Sequence, residues 1–237
     1  MGSSTLNLAG TAQLTEYDPI AFSQKATLWG QSAPAGPGVA WGNGRLYLVR
    51  ADSSGGMHLG WSTDPLNADA WSFTELPDTA IDAPAISTLG PGDGDVWIAW
   101  TGTDGNGTLN VASGFRPGSE ATYRKTPLDG SAGTFFHNIP AEFQGPDTSP
   151  AGPQIEVDDL SLTLAYIGHN QAIYFLGAFA GQFNRYKCAA TSDTGPAISG
   201  RVDAGGIAWR GLDDDHTLNL STNPFNDIGA VNDNGGG

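Results

Sequence analysis

The chain has 237 residues and carries 25 Asp and Glu against 10 Lys and Arg, a formal net charge of −15 at pH 7. So few cations cannot neutralise a row of phosphates, and we expect neither nucleic acid nor an anionic membrane surface as a partner. The 34 Gly and 15 Pro lie scattered among short apolar runs, which is typical of short strands and tight turns rather than of long helices. No apolar run is long enough to span a membrane, so no membrane insertion is expected.

The two ends of the chain and its one cysteine say little about function. Residues 1–4, "MGSS", and 235–237, "GGG", are interpreted as foreign or flexible tails of a single domain that covers residues 5–231. The N-terminus lacks the charged and apolar regions of a signal peptide. Cys188 has no cysteine partner, and we expect it to be a buried small hydrophobe rather than a reactive thiol.

In chain order, two strand patterns come first: "TLNLAG" at residues 5–10 and "IAFSQKATL" at residues 20–28. Four copies of a longer pattern follow. Each copy begins with a short apolar strand led by proline, and these strands are "GPGVAW" from Gly36, "APAIS" from Ala83, "GPQIEV" from Gly152 and "GPAIS" from Gly195. The starts are 47, 69 and 43 residues apart, and the longest interval holds an insertion that contains His137.

Within each copy a second strand follows ("RLYLVR", "VWIAW", "LTLAY", "GIAW"), then a polar turn and a third strand ("MHLGWS", "TLNVAS", "IYFLGA", "TLNLST"). A fourth strand follows in the first three copies ("WSFTEL", "YRKTPL", "NRYKCA"), whereas the last copy ends in the weak pattern "NPFNDIGAVN". Four short strands at this period predict an all-β fold, a β-propeller of four-stranded antiparallel blades. The repeats cover about 29–76, 77–128, 129–190 and 191–231.

The N-terminal strands complete this prediction. Residues 5–10 match the third strand of a copy and residues 20–28 match the fourth, so residues 5–28 read as half a blade. Since exposed sheet edges are prone to aggregation, we expect this half-blade to take a fifth blade position and to help close the ring. The alternative is that the chain is an excerpt of a longer array of repeats.

Equivalent positions at the ends of the second strands supply the candidate binding residues. Sugars stack on aromatic rings while charged groups bind their hydroxyls, and this chemistry predicts a ligand surface on the strand ends and the turns beside them. Its residues are Arg50, Trp100, Asp104, Tyr166, Trp209 and Asp213. The alternative is that the aromatic rings only pack between neighbouring sheets, while Asp104 and Asp213 only shape turns.

Two further patterns accompany these residues. Asn7, Asn110 and Asn219 recur at one third-strand position, where His58 and Tyr174 are the equivalents, and they predict either a polar ligand contact or a bond to the backbone. Calcium could use the loop carboxylates near Asp93, Asp104 and 213–215, although their spacing matches no complete calcium loop and turn chemistry explains them as well. No cofactor motif is present, so no cofactor is expected.

Blades of the type "AWTGTD…LNVAS" resemble those of sialidase-like and lectin-like β-propellers from secreted bacterial proteins. The stretch "STDPLNADAW" is similar to a lengthened sialidase Asp-box, with Ser62, Asp64 and Trp71 in the corresponding places. The resemblance implies a secreted or extracellular protein. In that family the box is a folding element, so it does not itself imply catalysis.

The repeated frame and the scarcity of catalytic groups favour a binding protein over an enzyme. The leading hypothesis is a non-catalytic, lectin-like propeller with repeated shallow sites, acting as a monomer or small homo-oligomer on a glycan or glycoprotein. One alternative is a glycoside hydrolase of the sialidase type or a degenerate fragment of one, which would need three converging Arg such as Arg50, Arg201 and Arg210. Another is a structural or protein-interaction propeller within a larger secreted assembly.

Overall fold

A computed structural model of the chain describes residues 27–28, 30–89, 96–115, 124–127, 148–158, 161–179, 182–200, 205–222 and 231–232. The predicted half-blade, apart from its last two residues, and the insertion around His137 lie outside the described residues. The described chain consists of antiparallel strands and one short 3-10 helix, Ala68–Ala70, so the prediction of an all-β fold is confirmed. None of its helices is long and apolar enough to cross a membrane.

The first sheet shows the plan that the others repeat. It runs β1 (Gly38–Gly42), β2 (Arg45–Ala51), β3 (Gly56–Ser62) and β4 (Ser72–Thr79), and each strand pairs antiparallel with the next. Between β1 and β2 the two-residue turn Asn43–Gly44 has positive φ at both residues (52° and 68°), which is the hairpin geometry that an Asn-Gly pair favours.

Three further sheets follow the same up-and-down order. The second contains β5 (Ala85–Thr88), β6 (Val96–Thr101), β7 (Leu109–Phe115) and β8 (Arg124–Pro127). The third contains β9 (Gln154–Val157), β10 (Ser161–Ile167), β11 (Ala172–Phe179) and β12 (Gln182–Thr191). The fourth contains β13 (Ala197–Ser199), β14 (Gly206–Arg210) and β15 (Leu218–Ser221).

The C-terminal strand departs from the sequence prediction. The last repeat was expected to extend to residue 231, but β16 (Val231–Asn232) pairs with β12 at the outer edge of the third sheet and not with β15 of the fourth. An unpaired edge exposes a row of backbone donors and acceptors, and the ten residues of β12 present the longest such row among the described strands. The described C-terminal strand Val231–Asn232 therefore adds to a neighbouring sheet.

Successive sheets pack face to face, and each pair encloses one apolar cluster. Trp100 and Ile98 of the second sheet meet Tyr47 and Val49 of the first. A second cluster joins the second sheet to the third, and a third cluster joins the third sheet to the fourth. The first strands of the sheets, β1, β5, β9 and β13, lie next to one another in that order. Sheets stacked around adjacent inner strands have the arrangement of propeller blades.

The strand registers are the same in every sheet. The second strand meets the third at Arg50 and His58, Trp100 and Asn110, Tyr166 and Tyr174, and Trp209 and Asn219. These are the equivalences that the repeats predicted, and they are confirmed. Because side chains alternate between the faces of a strand, Trp100, Tyr166 and Trp209 each face the preceding sheet.

Two of the Gly-Pro pairs before the inner strands lie at close backbone contacts between copies. A Cβ on Gly152 would collide with the carbonyl oxygen of Ala83, and a Cβ on Gly195 would collide with the carbonyl oxygen of Gly152. Successive copies thus touch backbone to backbone, and at Gly152 and Gly195 only glycine fits without a shift.

Candidate functional site

The turns between the second and third strands share one hydrogen-bonded frame. A backbone N–H at the start of each turn donates to a carbonyl at its end: Gly102 to Thr108 at 2.8 Å, Gly168 to Ala172 at 2.9 Å and Gly211 to Thr217 at 2.8 Å. Neighbouring turns also touch, since Nε2 of His169 lies 3.3 Å from the carbonyl oxygen of Asn106. The turns of the second and third sheets therefore lie side by side.

Asp104 and Asp213 each stabilise their own turn through hydrogen bonds to its backbone. Oδ1 of Asp104 accepts from the backbone N–H groups of Asn106 (3.2 Å) and Thr108 (3.1 Å), and Oδ1 of Asp213 accepts from that of Thr217 (2.6 Å). Hydrogen bonds from Thr108 and Thr217 lower the pKa of the two carboxyl groups, because they stabilise the charged form. This geometry is that of the turn-shaping alternative.

The first sheet has a related turn that the sequence analysis did not single out. Oδ1 of Asp52 accepts from the backbone N–H of Ser54 (2.8 Å), the hydroxyl of Ser54 (2.6 Å) and the backbone N–H of Gly56 (3.0 Å). Its Oδ2 lies 3.0 Å from Nε2 of His58. These partners, Ser54 foremost, hold the pKa of Asp52 far below its usual range. The sequence signal for this turn was Asp52 followed by two serines and two glycines, which are typical turn residues.

Arg50 secures the chain that enters the first sheet. Its Nε and Nη2 donate to Oε1 of Gln31 at 3.0 and 2.6 Å, and its Nη1 donates to the carbonyl of Ser32 at 2.7 Å. The residue is only 6% exposed. These bonds use much of the guanidinium, and they give Arg50 a structural role in place of the predicted contact with a sugar.

Trp100 and Tyr166 are buried between sheets. Trp100 is 0% exposed in the cluster between the first two sheets, and Tyr166 is 3% exposed in the next cluster, with its ring stacked on Tyr174 at 5.4 Å between centroids. Neither ring offers a face to a ligand in this conformation. The stacking role predicted for these two side chains is therefore corrected to packing between sheets. The physical reason is that an enclosed aromatic ring removes more apolar surface from water than a ring at the surface does.

Trp209 differs from its equivalents. It lies against the cluster between the third and fourth sheets but remains half-buried. The turn that begins two residues later exposes Asp214, Asp215 and His216 at its tip. Trp209 and Asp213 thus belong to the same strand and following turn of the fourth sheet, and Asp213 is exposed. The other four predicted site residues belong to the first three sheets, and among them Asp104 is also exposed.

The recurring asparagines bond to the backbone. Nδ2 of Asn110 donates to the carbonyl of Thr108 at 2.8 Å, and Nδ2 of Asn219 donates to the carbonyl of Thr217 at 2.9 Å. The same carbonyls accept from Gly102 and Gly211, so each asparagine reinforces the closing bond of its turn. Asn7 lies outside the described residues.

The lengthened relative of the Asp-box forms a compact loop between β3 and β4. The backbone N–H of Asp64 donates to Oγ of Ser62 at 3.0 Å, and Nε1 of Trp71 donates to the carbonyl of Pro65 at 3.1 Å. The ring of Trp71 stacks on Phe73 with 5.9 Å between centroids. All three residues of the pattern thus take part in folding the loop.

An inner-strand carboxyl group, Glu156, was not among the predicted site residues. Burial, assisted by the negative charge of Asp158, raises its pKa. A glycosidase needs at least a pair of carboxyl groups around the bond that it cleaves. The strand registers place Ala40, Ser87 and Ser199 at the equivalent inner positions of the other sheets, so Glu156 has no acidic counterpart there.

The described residues contain no group of three or more His, Cys, Asp and Glu side chains that could hold a metal ion, while Asp93 lies outside them. Of the three Arg considered for a sialidase, Arg50 binds Gln31, Arg210 binds Asp193 through Nε at 2.9 Å and Nη2 at 2.6 Å, and Arg201 lies outside the described residues.

Comparison with known proteins gives limited likenesses. No family model and no curated protein matches the chain. Among solved structures, an exo-β-1,3-galactanase from Phanerochaete chrysosporium, bound to β-1,3-galactotriose, is 14% identical over 81% of this chain and 46% of its own, with a TM-score of 0.46. Aleuria aurantia lectin, bound to α-methyl-L-fucoside, is 12% identical over 75% of this chain and 55% of its own, with a TM-score of 0.44.

This chain therefore spans about half the length of either structure. A fold can host many unrelated functions, so the galactanase activity and the binding of a fucoside are properties of those two proteins.

Proposed function

We propose that this protein is a lectin-like β-propeller that binds a neutral carbohydrate and catalyses no reaction on it. The observation that carries the proposal is the turn of residues 211–217 in the fourth sheet. Asp213 and backbone bonds fix the turn, so the exposed side chains of Asp214, Asp215 and His216 are not needed to shape it. Trp209, which is half-buried, precedes this turn by two residues in the sequence.

This arrangement suits a sugar for two reasons. The C–H face of a sugar ring can stack on an aromatic side chain, and carboxylates accept hydrogen bonds from its hydroxyl groups. The net charge of −15 disfavours an anionic glycan. The same turn frame recurs in the other sheets with different residues at the tip, so several weak sites could act together on a multivalent glycan or glycoprotein.

The absence of catalysis is supported by the bonds that the turn carboxylates already make. Asp52, Asp104 and Asp213 accept hydrogen bonds within their own turns, and Asp193 pairs with Arg210. Glu156 lacks an acidic counterpart at the equivalent inner-strand positions that the structure describes. We also propose five blade positions, sialidase-like or lectin-like repeats and a secreted or extracellular location.

The test is binding of the full chain to an array of neutral glycans, with melting temperature measured on every variant. We expect Trp209→Ala and the charge-removing Asp215→Asn each to weaken binding of the best glycan by about 1–3 kcal/mol, the scale of a lost anchor. The side chain of His216 is tested with His216→Asn. The backbone of His216 has a φ of 50°, and asparagine tolerates that conformation.

Trp71→Ala serves as the matched control, since Trp71 lies in the loop between β3 and β4. It should leave glycan affinity unchanged. Turnover of chromogenic glycosides would favour the glycoside hydrolase alternative. Failure to bind any glycan by a fully folded chain would refute the lectin proposal and favour the interaction propeller.

A further inference from the structure

The first and last described sheets each have one apolar side that meets no described sheet. On the first sheet, Val39 is 58% exposed and Trp41 is 59% exposed. Cross-strand pairing puts them on one side with Leu46, Leu48 and Arg50, and these five residues form the open side of the first sheet. On the fourth sheet, Leu218 is 52% and Leu220 is 45% exposed, and they form the open side of the fourth sheet.

Comparison of equivalent positions shows that both sides are surfaces of the kind that sheets use to pack on each other. Leu218 and Leu220 flank Asn219, and in the other sheets the residues that flank the equivalent position are 0–1% exposed: Met57 and Leu59, Leu109 and Val111, and Ile173 and Phe175. Those residues pack against the following sheet. The fourth sheet has the same pattern but no described sheet to cover it.

The first sheet shows the complementary case. Val39 pairs with Leu48 as Ile86 pairs with Ile98 in the second sheet. Ile86 is 6% exposed because the first sheet covers it, whereas Val39 is 58% exposed. Among the described residues, the first and fourth sheets consequently do not pack on each other, and each has one side that no described sheet covers.

The N-terminal segment reaches the chain's first sheet at this open side. Arg50 belongs to the open side, and it binds Gln31 and the carbonyl of Ser32. The segment that precedes Gln31 therefore starts from the place where the missing neighbour of the first sheet would lie. Its length, 30 residues, is sufficient for two strands and a connection, because strands usually have about 5–6 residues.

We propose that residues 5–28 fill the open position as a two-stranded half-blade, with Leu6 and Leu8 against the open side of the first sheet. Alignment of "TLNLAG" with the third strands places Asn7 at the position of Asn110. Leu6 and Leu8 then take the positions of Leu109 and Val111, which face the following sheet. In the ring, the sheet that follows this half-blade is the first sheet. This proposal is independent of whether the protein binds a sugar.

Hydrogen exchange on the unaltered full chain is the first test. We expect backbone amides of residues 5–10 to exchange at least tenfold more slowly than in an unstructured chain, in a protein that light scattering shows to be a monomer. Exchange at the unstructured rate would overturn the proposal.

A double-mutant cycle is the second test, measured as melting temperature. Leu8→Ala and Leu48→Ala should each lower the melting temperature by about 2–8 °C, and the double variant by less than the sum, because the proposed packing puts the two side chains in contact. Leu66→Ala is the matched control, since Leu66 is 52% exposed in the loop between β3 and β4, and it should have no effect. Additive effects of Leu8→Ala and Leu48→Ala would contradict the proposal.

The main competing occupant is a second copy of the chain. If light scattering gives a dimer and Val39→Asp converts it to a folded monomer, a partner chain covers the open side of the first sheet. That result would also overturn the proposal.

Discussion

At the scale of single residues, equivalent positions have different roles because their neighbours differ. Trp100 and Trp209 each lie one residue before the end of a second strand, and both face the preceding sheet. Trp100 is 0% exposed, whereas Trp209 is half-buried at the edge of its cluster. A side chain contributes to stability mainly through the apolar surface that folding removes from water. Trp100 is therefore a core residue, and Trp209 can contribute both to packing and to a surface site.

The two tryptophans should separate in unfolding experiments. Trp100→Ala is expected to lower the free energy of unfolding by about 3–5 kcal/mol, because it leaves a cavity between two sheets. Trp209→Ala should cost clearly less, since part of its ring is already in water. Urea denaturation of both variants measures the difference. Equal losses would show that Trp209 is as deeply packed as Trp100, which would weaken the proposed site.

Asp213 should make the stability of the folded protein depend on pH in the acid range. Its pKa is lowered in the folded protein, first by its hydrogen bond with Thr217, so the charged carboxylate stabilises the fold. That contribution is complete above the pKa of an unfolded Asp, about 3.9, and is lost as the pH falls through the lower pKa of the folded state. Asp213→Asn should therefore be less stable than the natural protein at pH 6, and the difference should shrink between about pH 4 and pH 2.

Thermal unfolding across this pH range measures the effect. Asp214→Asn is a matched control, because it removes the same charge from the exposed tip of the same turn. If both variants respond to pH in the same way, the hydrogen bonds of Asp213 are not the cause.

At the scale of elements, the repeated strands are positioned by their turns and by the contacts between sheets. The turns close through a backbone bond, and in the second and fourth sheets an Asp and an Asn side chain add to it. The Gly-Pro pairs at Gly152 and Gly195 have a different function, because they allow the start of one copy to touch the start of the preceding copy. The repeated residues thus serve two purposes: the turn residues close the turns within a sheet, and the glycines allow close contact between sheets.

Gly152→Ala tests the requirement between sheets. The added Cβ would collide with the backbone carbonyl of Ala83, and backbone atoms cannot move aside as a flexible side chain can. We expect a loss of about 1–3 kcal/mol in the free energy of unfolding, the usual scale of overpacking. Gly36→Ala is the control, because nothing lies within 4 Å of its added Cβ. Equal stability of the two variants would mean that the sheets can shift apart without cost.

At the scale of the whole molecule, the described sheets form an open series with a distinct surface at each end. The inner three interfaces are filled, while Trp41 and Val39 at one end and Leu218 and Leu220 at the other stay exposed. Exposed apolar surface next to unpaired strand edges favours association between molecules. The state of these two ends should therefore govern solubility as well as stability.

Deleting residues 1–28 should produce an aggregating protein or one with a markedly lower melting temperature, because the open side of the first sheet would lose the segment proposed to cover it. Deleting residues 235–237, interpreted as a tail, should change neither property. Size-exclusion chromatography and thermal unfolding measure both. A monomeric 1–28 deletion with an undiminished melting temperature would show that other strands close the ring.

The sequence alone determined the strand content, the four repeats and the register between second and third strands. Those features arise from alternation of side chains and from turn residues, which act over a few positions and leave a local pattern. The equivalence of Trp100, Tyr166 and Trp209 could therefore be predicted from the sequence alone.

The tertiary structure decided what those equivalent positions do. Burial of Trp100 and Tyr166, the bonds from Arg50 to Gln31 and the pairing of β16 with β12 depend on which sheet lies alongside, and this is set by contacts between residues far apart in the chain. The exposure of Trp209 has the same origin. A repeat in the sequence specifies the shape of one blade, but the neighbours of each blade specify whether its aromatic residue becomes core or surface.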